Sequence, residues 1–272
     1  MGIRLRIVLL AAVVALGLAG PARAAEPLPD SMAATGDSIT RAFNAGSIPF
    51  TEARWNSWST GSLRPWTHYR RILAVNWRIA GRNHNDARSG ARMSDLERQA
   101  GLAVSQRVDY VTVLIGANDA CASSDVAMTP VADFRAQFEQ AMTTLTSGLP
   151  NARIYVVSIP NIYRLWRLFH QDPRAVLSWS LTRFCRSMLA RPRSTAPQDR
   201  ARRQRVRQRV MAYNRVLAEL CAAYVRCWFD GYAVFNYQFA REHVSRWDYF
   251  HPSRKGQRAL ANVTWAVGPY AG

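Results

Sequence analysis

Apolar and polar residues follow one another along this chain in blocks that predict strands and helices in turn. Two runs of mainly β-branched residues, Val108–Ile115 and Arg153–Ile159, are typical of strands buried on both faces of a parallel sheet. A shorter run of small residues, Ala33–Thr35, predicts another buried strand. Because the strands alternate with helical patterns, the sequence indicates βαβ units and therefore an α/β fold with a parallel sheet.

Five stretches carry apolar residues at the spacing of one helix face. The stretch Pro130–Leu149 predicts a helix with Thr129 as its cap and Pro130 at its first position. The other predicted helices are Tyr69–Trp77, Met93–Val104, Ala201–Tyr224 and Ser253–Val267. Two stretches, Asn44–Pro65 and Asn161–Pro197, have no clear assignment, and we expect them to form loops that shape a substrate site.

The first 24 residues have the pattern of a secretion signal. Arg4 and Arg6 precede an uncharged apolar run, and Ala22-Arg23-Ala24 fits the small-x-small rule for cleavage. The apolar run is too short to span a bilayer comfortably, which makes a retained anchor the weaker interpretation. We therefore expect a secreted protein cleaved near Ala24. Residues 25–272 then form one domain, since no linker, repeat or low-complexity tract divides them.

The four cysteines are Cys121, Cys185, Cys221 and Cys227. An even number in an exported chain favours two disulfides, although four cysteines permit three pairings and free buried thiols are the alternative. Cys221 and Cys227 would close a short local loop, which leaves Cys121 to pair with Cys185. The spacing suggests no zinc site and the sequence suggests no cofactor, because there is no CxxC and no paired histidine motif.

The chain is strongly basic, with a formal net charge of +18. Without Arg4, Arg6 and Arg23 it retains 33 basic and 18 acidic side chains, a net charge of +15. Ten arginines lie between residues 183 and 209, but much of that stretch has helical periodicity, so a solvated helix face explains most of the charge. No RNA- or DNA-binding motif accompanies it, which predicts no specific nucleic-acid partner.

Four short blocks carry the candidate chemistry, and each has an ordinary structural explanation when taken alone. A serine just past a strand can project its hydroxyl from the carboxyl edge of a sheet, where open α/β folds bind ligands, but such serines commonly serve turns. The blocks are Gly36-Asp37-Ser38, Ser89-Gly90, Gly116-Ala117-Asn118-Asp119, and Asp248 with His251 within Trp247–Pro252.

Together and in this order, from about Met32 to about Leu260, the four blocks resemble those of the SGNH, or GDSL, family of serine esterases and lipases. The resemblance implies a three-layer α/β/α sandwich with a mostly parallel, flavodoxin-like sheet. The absence of a Gly-x-Ser-x-Gly elbow argues against the larger α/β-hydrolase fold. Because Ala120 and Cys121 follow the third block at once, the chain is also similar to the phospholipase B-like branch of the family.

Ester hydrolysis requires an activated nucleophile, and a serine hydroxyl needs a base. His251 is the candidate base for Ser38, and Asp248 could orient it from three residues earlier. The resemblance implies an oxyanion hole formed by the backbone N–H groups of Ser38 and Gly90 and the side-chain amide of Asn118. Ordinary structural roles suffice for Asp37, expected to hold the tight turn, and for the remaining histidines, His68, His84, His170 and His243.

The sequence favours a secreted serine hydrolase that cleaves carboxylic esters, either acyl lipids or small esters. One alternative uses the same machinery to deacetylate a polysaccharide. Another is a non-enzymatic basic protein that binds an anionic polymer, which would leave the four blocks unexplained. We expect a monomer that is soluble or at most associated with a membrane or cell-wall surface.

Overall fold

The computed structural model describes residues 27–271, so the predicted signal peptide and its cleavage site near Ala24 lie outside the described residues. Within that range a sheet of five parallel strands forms the centre of the fold. The strands are β1 (Met32–Gly36), β2 (Asn83–Asn85), β3 (Tyr110–Leu114), β4 (Arg153–Val156) and β5 (Cys227–Phe229). Their order, β2-β1-β3-β4-β5, is that of flavodoxin-like sheets, which confirms the predicted α/β fold.

Ten α-helices occur in the described part of the chain, together with four short 3₁₀ turns. The helices are α1 (His68–Leu73), α2 (Leu96–Gln106), α3 (Ala117–Ala120), α4 (Val131–Gly148), α5 (Ile162–Phe169), α6 (Pro173–Thr182), α7 (Arg186–Leu189), α8 (Pro197–Ala222), α9 (Ala233–Asn236) and α10 (Arg254–Ala266). The 3₁₀ turns are Arg54–Asn56, Trp77–Ile79, Met93–Asp95 and Arg241–His243. No described helix is long and apolar enough to cross a membrane.

The hydrophobic core lies on both faces of the sheet because successive strand residues point to opposite sides. Val111 and Val113 pack in one cluster with buried residues of α2, α4 and α8. Tyr110 and Leu114, from the same strand, pack in a second cluster with buried residues of α1 and α10. The sheet, with helices packed on each of its two faces, gives the three layers. All five residues of β3 are buried. The uninterrupted apolar run of this strand is therefore the consequence of burial on both faces.

Some predicted helix limits were wrong, and each difference has a local cause. Thr129 does not cap α4: Pro130 occupies the N-cap position, and the Thr129 hydroxyl donates instead to Asp119 Oδ1 at 2.8 Å. The helix predicted over Tyr69–Trp77 ends at Leu73, and Trp77 begins a separate 3₁₀ turn capped by Asn76. The long arginine-rich helix begins earlier than predicted, at Pro197, a residue whose fixed φ suits the first turn.

The two edge strands, β2 and β5, were not predicted. Each has only three residues, and none of the six is fully buried, so neither leaves an apolar run in the sequence. In β2 the side chains of Asn83 and Asn85 donate to the backbone oxygens of Thr60 and Thr40 at 2.7 and 3.1 Å. These hydrogen bonds attach the edge strand to the segment that follows β1.

Two disulfides link the four cysteines in the pairing that the sequence favoured. Cys121 is bonded to Cys185 at 2.07 Å, and Cys221 is bonded to Cys227 at 2.02 Å. The first bridge joins the end of α3 to the residue before α7, 64 positions later in the chain. It therefore attaches the 161–197 segment to the part of the chain that carries Asn118.

We expect both bridges to be present and stabilising in the isolated protein. Alkylation before reduction, followed by mass spectrometry, should find no modified cysteine and a Cys221–Cys227 cross-linked peptide. Reduction should then lower the melting temperature by several degrees, because losing a disulfide typically costs about 2–5 kcal/mol. Four alkylated cysteines in the native protein would contradict both bridges.

Candidate active site

The turn that carries Ser38 follows directly from the end of β1 at the carboxyl edge of the sheet. Gly36 has a φ of +143°, and a Cβ added there would lie 2.2 Å from the Leu114 carbonyl oxygen, so only glycine fits. The buried Gln99 side chain brackets the Gly36 peptide, accepting from its N–H at 2.7 Å and donating to its carbonyl at 3.0 Å. The backbone before Ser38 is thereby fixed by both β3 and α2.

Ser38, His251 and Asp248 form one hydrogen-bonded series. The Ser38 Oγ lies 2.9 Å from His251 Nε2, and His251 Nδ1 lies 2.6 Å from Asp248 Oδ2. An ionised carboxylate can only accept, so Nδ1 carries the proton and Nε2 is free to accept from the serine hydroxyl. All three residues are buried, with Ser38 and His251 at 7% and 6% exposure. This is the arrangement that a serine nucleophile and its base require.

The Asp248 carboxylate receives four hydrogen bonds. Oδ1 accepts from the backbone N–H groups of Phe250 and His251, at 2.9 and 3.1 Å. Oδ2 accepts from His251 and from the side-chain amide of Asn44, which is 2.5 Å away. Burial by itself would raise the pKa of Asp248. The hydrogen bond and the charge of His251, together with the hydrogen bonds from Phe250 and Asn44, hold the pKa below its usual value. The group is therefore ionised at neutral pH.

Backbone and side-chain amide donors lie around the same cavity as the serine hydroxyl. Ser38, Gly90, Asn118 and His251 line the same cavity, which has a volume of about 390 Å³. Within residues 27–271, neither the Ser38 N–H nor the Gly90 N–H donates to a protein acceptor. One N–H of the Asn118 amide donates to the Ala91 carbonyl at 2.9 Å, which orients the side chain and leaves the other N–H for a ligand. These three donors could stabilise an oxyanion.

Asp37 directly precedes Ser38, and its carboxyl group holds the turn. Its Oδ1 accepts from the Ile39 N–H at 2.8 Å, which is the turn-holding contact that the sequence suggested. Burial raises the pKa of Asp37 to about 7, while the Ile39 hydrogen bond and the nearby His251 oppose that rise. The carboxyl group does not touch the His251 ring nitrogens, both of which have other partners.

None of the four other histidines contacts Ser38. His68 is buried against the second core cluster, 3.1 Å from the Tyr110 hydroxyl, and burial lowers its pKa to about 3. His84 lies in β2, and His170 follows the last residue of α5. His243 is half-buried in the wall of a cavity that Ser38 also lines, and its Nδ1 accepts from the Ala240 N–H.

A second, mainly apolar cavity is lined by the same serine. It measures about 770 Å³ including the open space at its mouth, and Ser38, Asn118 and His251 are among its lining residues. Its walls include Ile162, Leu165 and Leu168 of α5, with further apolar residues from the segments around Ile39, Phe239, Val244, Phe250 and Leu260. Helix α5 lies in the stretch Asn161–Pro197, which was expected to shape a substrate site as a loop. The expected loop structure was wrong, because α5, α6 and α7 occupy most of the stretch and the side chains of Asn161 and Asp172 cap α5 and α6. No group of His, Cys, Asp or Glu suited to a metal ion occurs within the described residues.

The chain matches the family model described as GDSL-like lipase/acylhydrolase over residues 34–259. No curated protein matches its sequence. Three solved structures are similar in fold. The extracellular lipase from Streptomyces rimosus is 18% identical with a TM-score of 0.51, covering 88% of this chain and 99% of the lipase. The lipase Lip_vut3 from a goat rumen metagenome is 14% identical with a TM-score of 0.52, covering 88% and 97%.

The third structure is a family 3 carbohydrate esterase from Clostridium thermocellum, 14% identical with a TM-score of 0.50, covering 86% of this chain and 92% of the esterase. At these identities the structural comparisons show a shared fold, and they include both lipid and carbohydrate esterases. The substrate preference of this chain therefore depends on its own cavities.

Proposed function

Because the chain belongs to the GDSL-like lipase/acylhydrolase family, we propose that it is a secreted serine esterase that cleaves acyl esters through an acyl-enzyme on Ser38. The observation that carries the proposal is the series Ser38 Oγ, His251 Nε2 and Nδ1, and Asp248 Oδ2, with separations of 2.9 and 2.6 Å. Residues 1–24 act as the signal peptide and residues 25–272 form the secreted domain. The two disulfides are compatible with an extracellular protein.

In the first half-reaction His251 Nε2 takes the proton of the Ser38 hydroxyl as Oγ attacks the ester carbonyl. The negative charge on the carbonyl oxygen is stabilised by the N–H groups of Ser38, Gly90 and Asn118. The protonated His251 then gives its proton to the departing alcohol, leaving the acyl group on Ser38. In the second half-reaction His251 activates a water molecule that releases the acid, and Ser38 regains its proton.

The apolar cavity favours acyl chains longer than acetate. Its apolar walls offer no reason to prefer acetyl groups, whereas each methylene that leaves water contributes about 0.8 kcal/mol. Ser38 and α5 both line the cavity, so an acyl chain attached to the serine can pack against its apolar walls. A polysaccharide acetylesterase would need no such cavity, and we therefore place acyl lipids and medium-chain esters before acetylated glycans.

We expect kcat/KM for p-nitrophenyl esters to rise more than tenfold from acetate to octanoate, since burial of two methylenes already corresponds to about tenfold. The panel should run from acetate to palmitate, beside a phospholipid and an acetylated xylan. Leu165→Trp, which fills the cavity, should remove the preference for octanoate while retaining acetate hydrolysis. Arg167→Trp, on the exposed side of the same helix, is the matched control. A preference for acetate and for xylan would instead favour the polysaccharide esterase.

A further inference from the structure

The segment immediately after the Ser38 turn forms a closed loop whose ends lie side by side. Phe43 and Glu52 form an isolated antiparallel bridge, and the Asn44 N–H donates to the Thr51 carbonyl at 2.9 Å. The Phe43 N–H also donates to the Ser38 carbonyl at 3.0 Å, which attaches the loop to the nucleophile turn. We refer to residues 43–52 as the clamp loop.

Asn44, at one end of the clamp loop, holds the acid of the triad. Its side chain is 2% exposed, and its Nδ2 donates to Asp248 Oδ2 at 2.5 Å. Its Oδ1 accepts from the Phe50 N–H at 2.5 Å, and its carbonyl accepts from the Ser245 hydroxyl at 2.8 Å. The φ of Asn44 is +58°, a conformation that asparagine tolerates better than most residues. The amide is thus fixed within its own loop and directed at Asp248.

Glu52, at the other end, holds the segment that carries Gly90. Its Oε1 accepts from the Ser89 hydroxyl at 2.7 Å, and its Oε2 accepts from Arg41 Nε at 2.7 Å. Burial would raise the pKa of Glu52, but the hydrogen bonds from Arg41 and Ser89 and the arginine charge hold the pKa below its usual value. Arg41 in turn donates to the Asn85 carbonyl at 3.1 Å, so the ionised carboxylate is itself anchored.

We infer that the clamp loop positions both halves of the catalytic machinery: Asn44 orients Asp248, and Glu52 orients the Ser89-Gly90 oxyanion segment. The inference rests on the proposed function, and it assigns Asn44 and Glu52 as positioning residues that act through other groups. The physical reason is that small displacements of a catalytic group cost orders of magnitude in rate. Asn44 also supplies a neutral donor, which orients the Asp248 carboxylate without cancelling the charge that stabilises the imidazolium.

Asn44 is tested by two variants that suit its positive φ. Asn44→Gly removes the side chain without backbone strain, and Asn44→Asp replaces the donor by an acceptor of the same shape. We expect kcat to fall about 10–100-fold in both, with little change in KM. We also expect the midpoint of the kcat/KM pH profile to rise. Without the Asn44 donor, the negative charge of Asp248 attracts the imidazolium of His251 more strongly, and the second carboxylate in Asn44→Asp should raise the midpoint further. Asn151→Gly and Asn151→Asp, at an exposed asparagine in the turn before β4, are the matched controls and should stay within threefold of wild type.

Glu52 is tested by a double-mutant cycle with its partner. Glu52→Ala and Ser89→Ala should each lower kcat about tenfold. The double variant should be hardly worse than Glu52→Ala, because each single variant already removes the Ser89–Glu52 hydrogen bond. Their pH midpoints should move less than those of the Asn44 variants. Losses that simply multiply, or no loss at all, would overturn the assignment of Glu52.

A readout without substrate separates this inference from the proposed function. In a Ser38→Ala background, the imidazole of His251 can be titrated by NMR, and the Asn44 substitutions should still raise its midpoint relative to Ser38→Ala alone. An inactive wild-type enzyme would reject the proposed esterase while leaving this titration to decide the role of Asn44. Folded Asn44 variants with unchanged kcat and unchanged His251 titration would overturn the inference, and circular dichroism with melting curves establishes that they are folded.

Discussion

Ser38→Ala is expected to lower kcat for ester hydrolysis by about four orders of magnitude or more while the protein stays folded. In the proposed mechanism the hydroxyl itself forms the acyl-enzyme bond, so a neighbouring group cannot replace it. Its Oγ is the only group that forms a hydrogen bond with His251 Nε2 among the described residues. Substitution removes one oxygen atom from a 7%-exposed side chain and should therefore change the melting temperature little.

The measurement is kcat with the best ester of the panel, at saturating substrate and neutral pH. Ser105→Ala, an exposed serine of α2 that hydrogen-bonds only within its own helix, serves as the matched control and should keep full activity. Labelling with an alkyl phosphonate, followed by mass spectrometry, should place the adduct on Ser38 in the wild type and leave the variant unlabelled. Activity of Ser38→Ala within a few-fold of wild type would reject Ser38 as the nucleophile.

The centre of the sheet could be predicted from the sequence because burial on both faces demands apolar residues at every position. All five residues of β1 and all five of β3 are buried, and both strands left a readable run. The edge strands β2 and β5 could not be predicted in this way, since their backbone pairs on one side only and their side chains are half-buried. These two strands form by hydrogen bonding to β1 and β4, and that pairing leaves no periodic pattern in the sequence.

The residues of the candidate site divide in the same manner. Ser38, Gly90, Asn118 and His251 could be selected because short blocks in a fixed order resemble a family, and the fold brings all four to one cavity. Gln99, Asn44 and Glu52 gave no such signal. Each is an ordinary polar residue whose partner lies far along the chain, 204 positions away for Asn44 and Asp248. Only the fold shows which asparagine, glutamine or glutamate lies against the candidate site.

The second large effect is expected at His251, where His251→Ala should lower kcat about as much as Ser38→Ala. None of the other four histidines reaches Ser38, and none has an aspartate three residues before it. The Ser38→Ala, His251→Ala double variant should be hardly worse than Ser38→Ala alone, because residues that act as a unit do not contribute additively. Substantial activity in folded His251→Ala would mean that the base lies elsewhere.

Asp248→Asn tests the mechanism more closely, and we expect it to lower kcat about 10²–10⁴-fold. All four contacts of the carboxylate are donors, so an amide N–H₂ at position 248 must face at least one of them. If it faces His251 Nδ1, that nitrogen must become the acceptor, Nε2 then carries the proton, and the imidazole cannot accept from Ser38. If it is turned the other way, it opposes the backbone N–H groups of Phe250 and His251 and the 248–251 turn is destabilised.

The pH dependence gives the sign of the same interaction. For the wild type, kcat/KM should rise with pH through one ionisation, because the proposed base is the neutral imidazole. Asp248→Asn removes the negative charge that favours the imidazolium, so the midpoint should move to lower pH. The Asn44 variants keep that charge and lose a competing donor, so their midpoint should move to higher pH. Asn44 and Asp248 are in contact at 2.5 Å, so opposite shifts from their variants would show that the charge of Asp248 and its orientation act separately on His251. An unchanged midpoint in Asp248→Asn would mean that the contact between Asp248 and His251 has only a structural role.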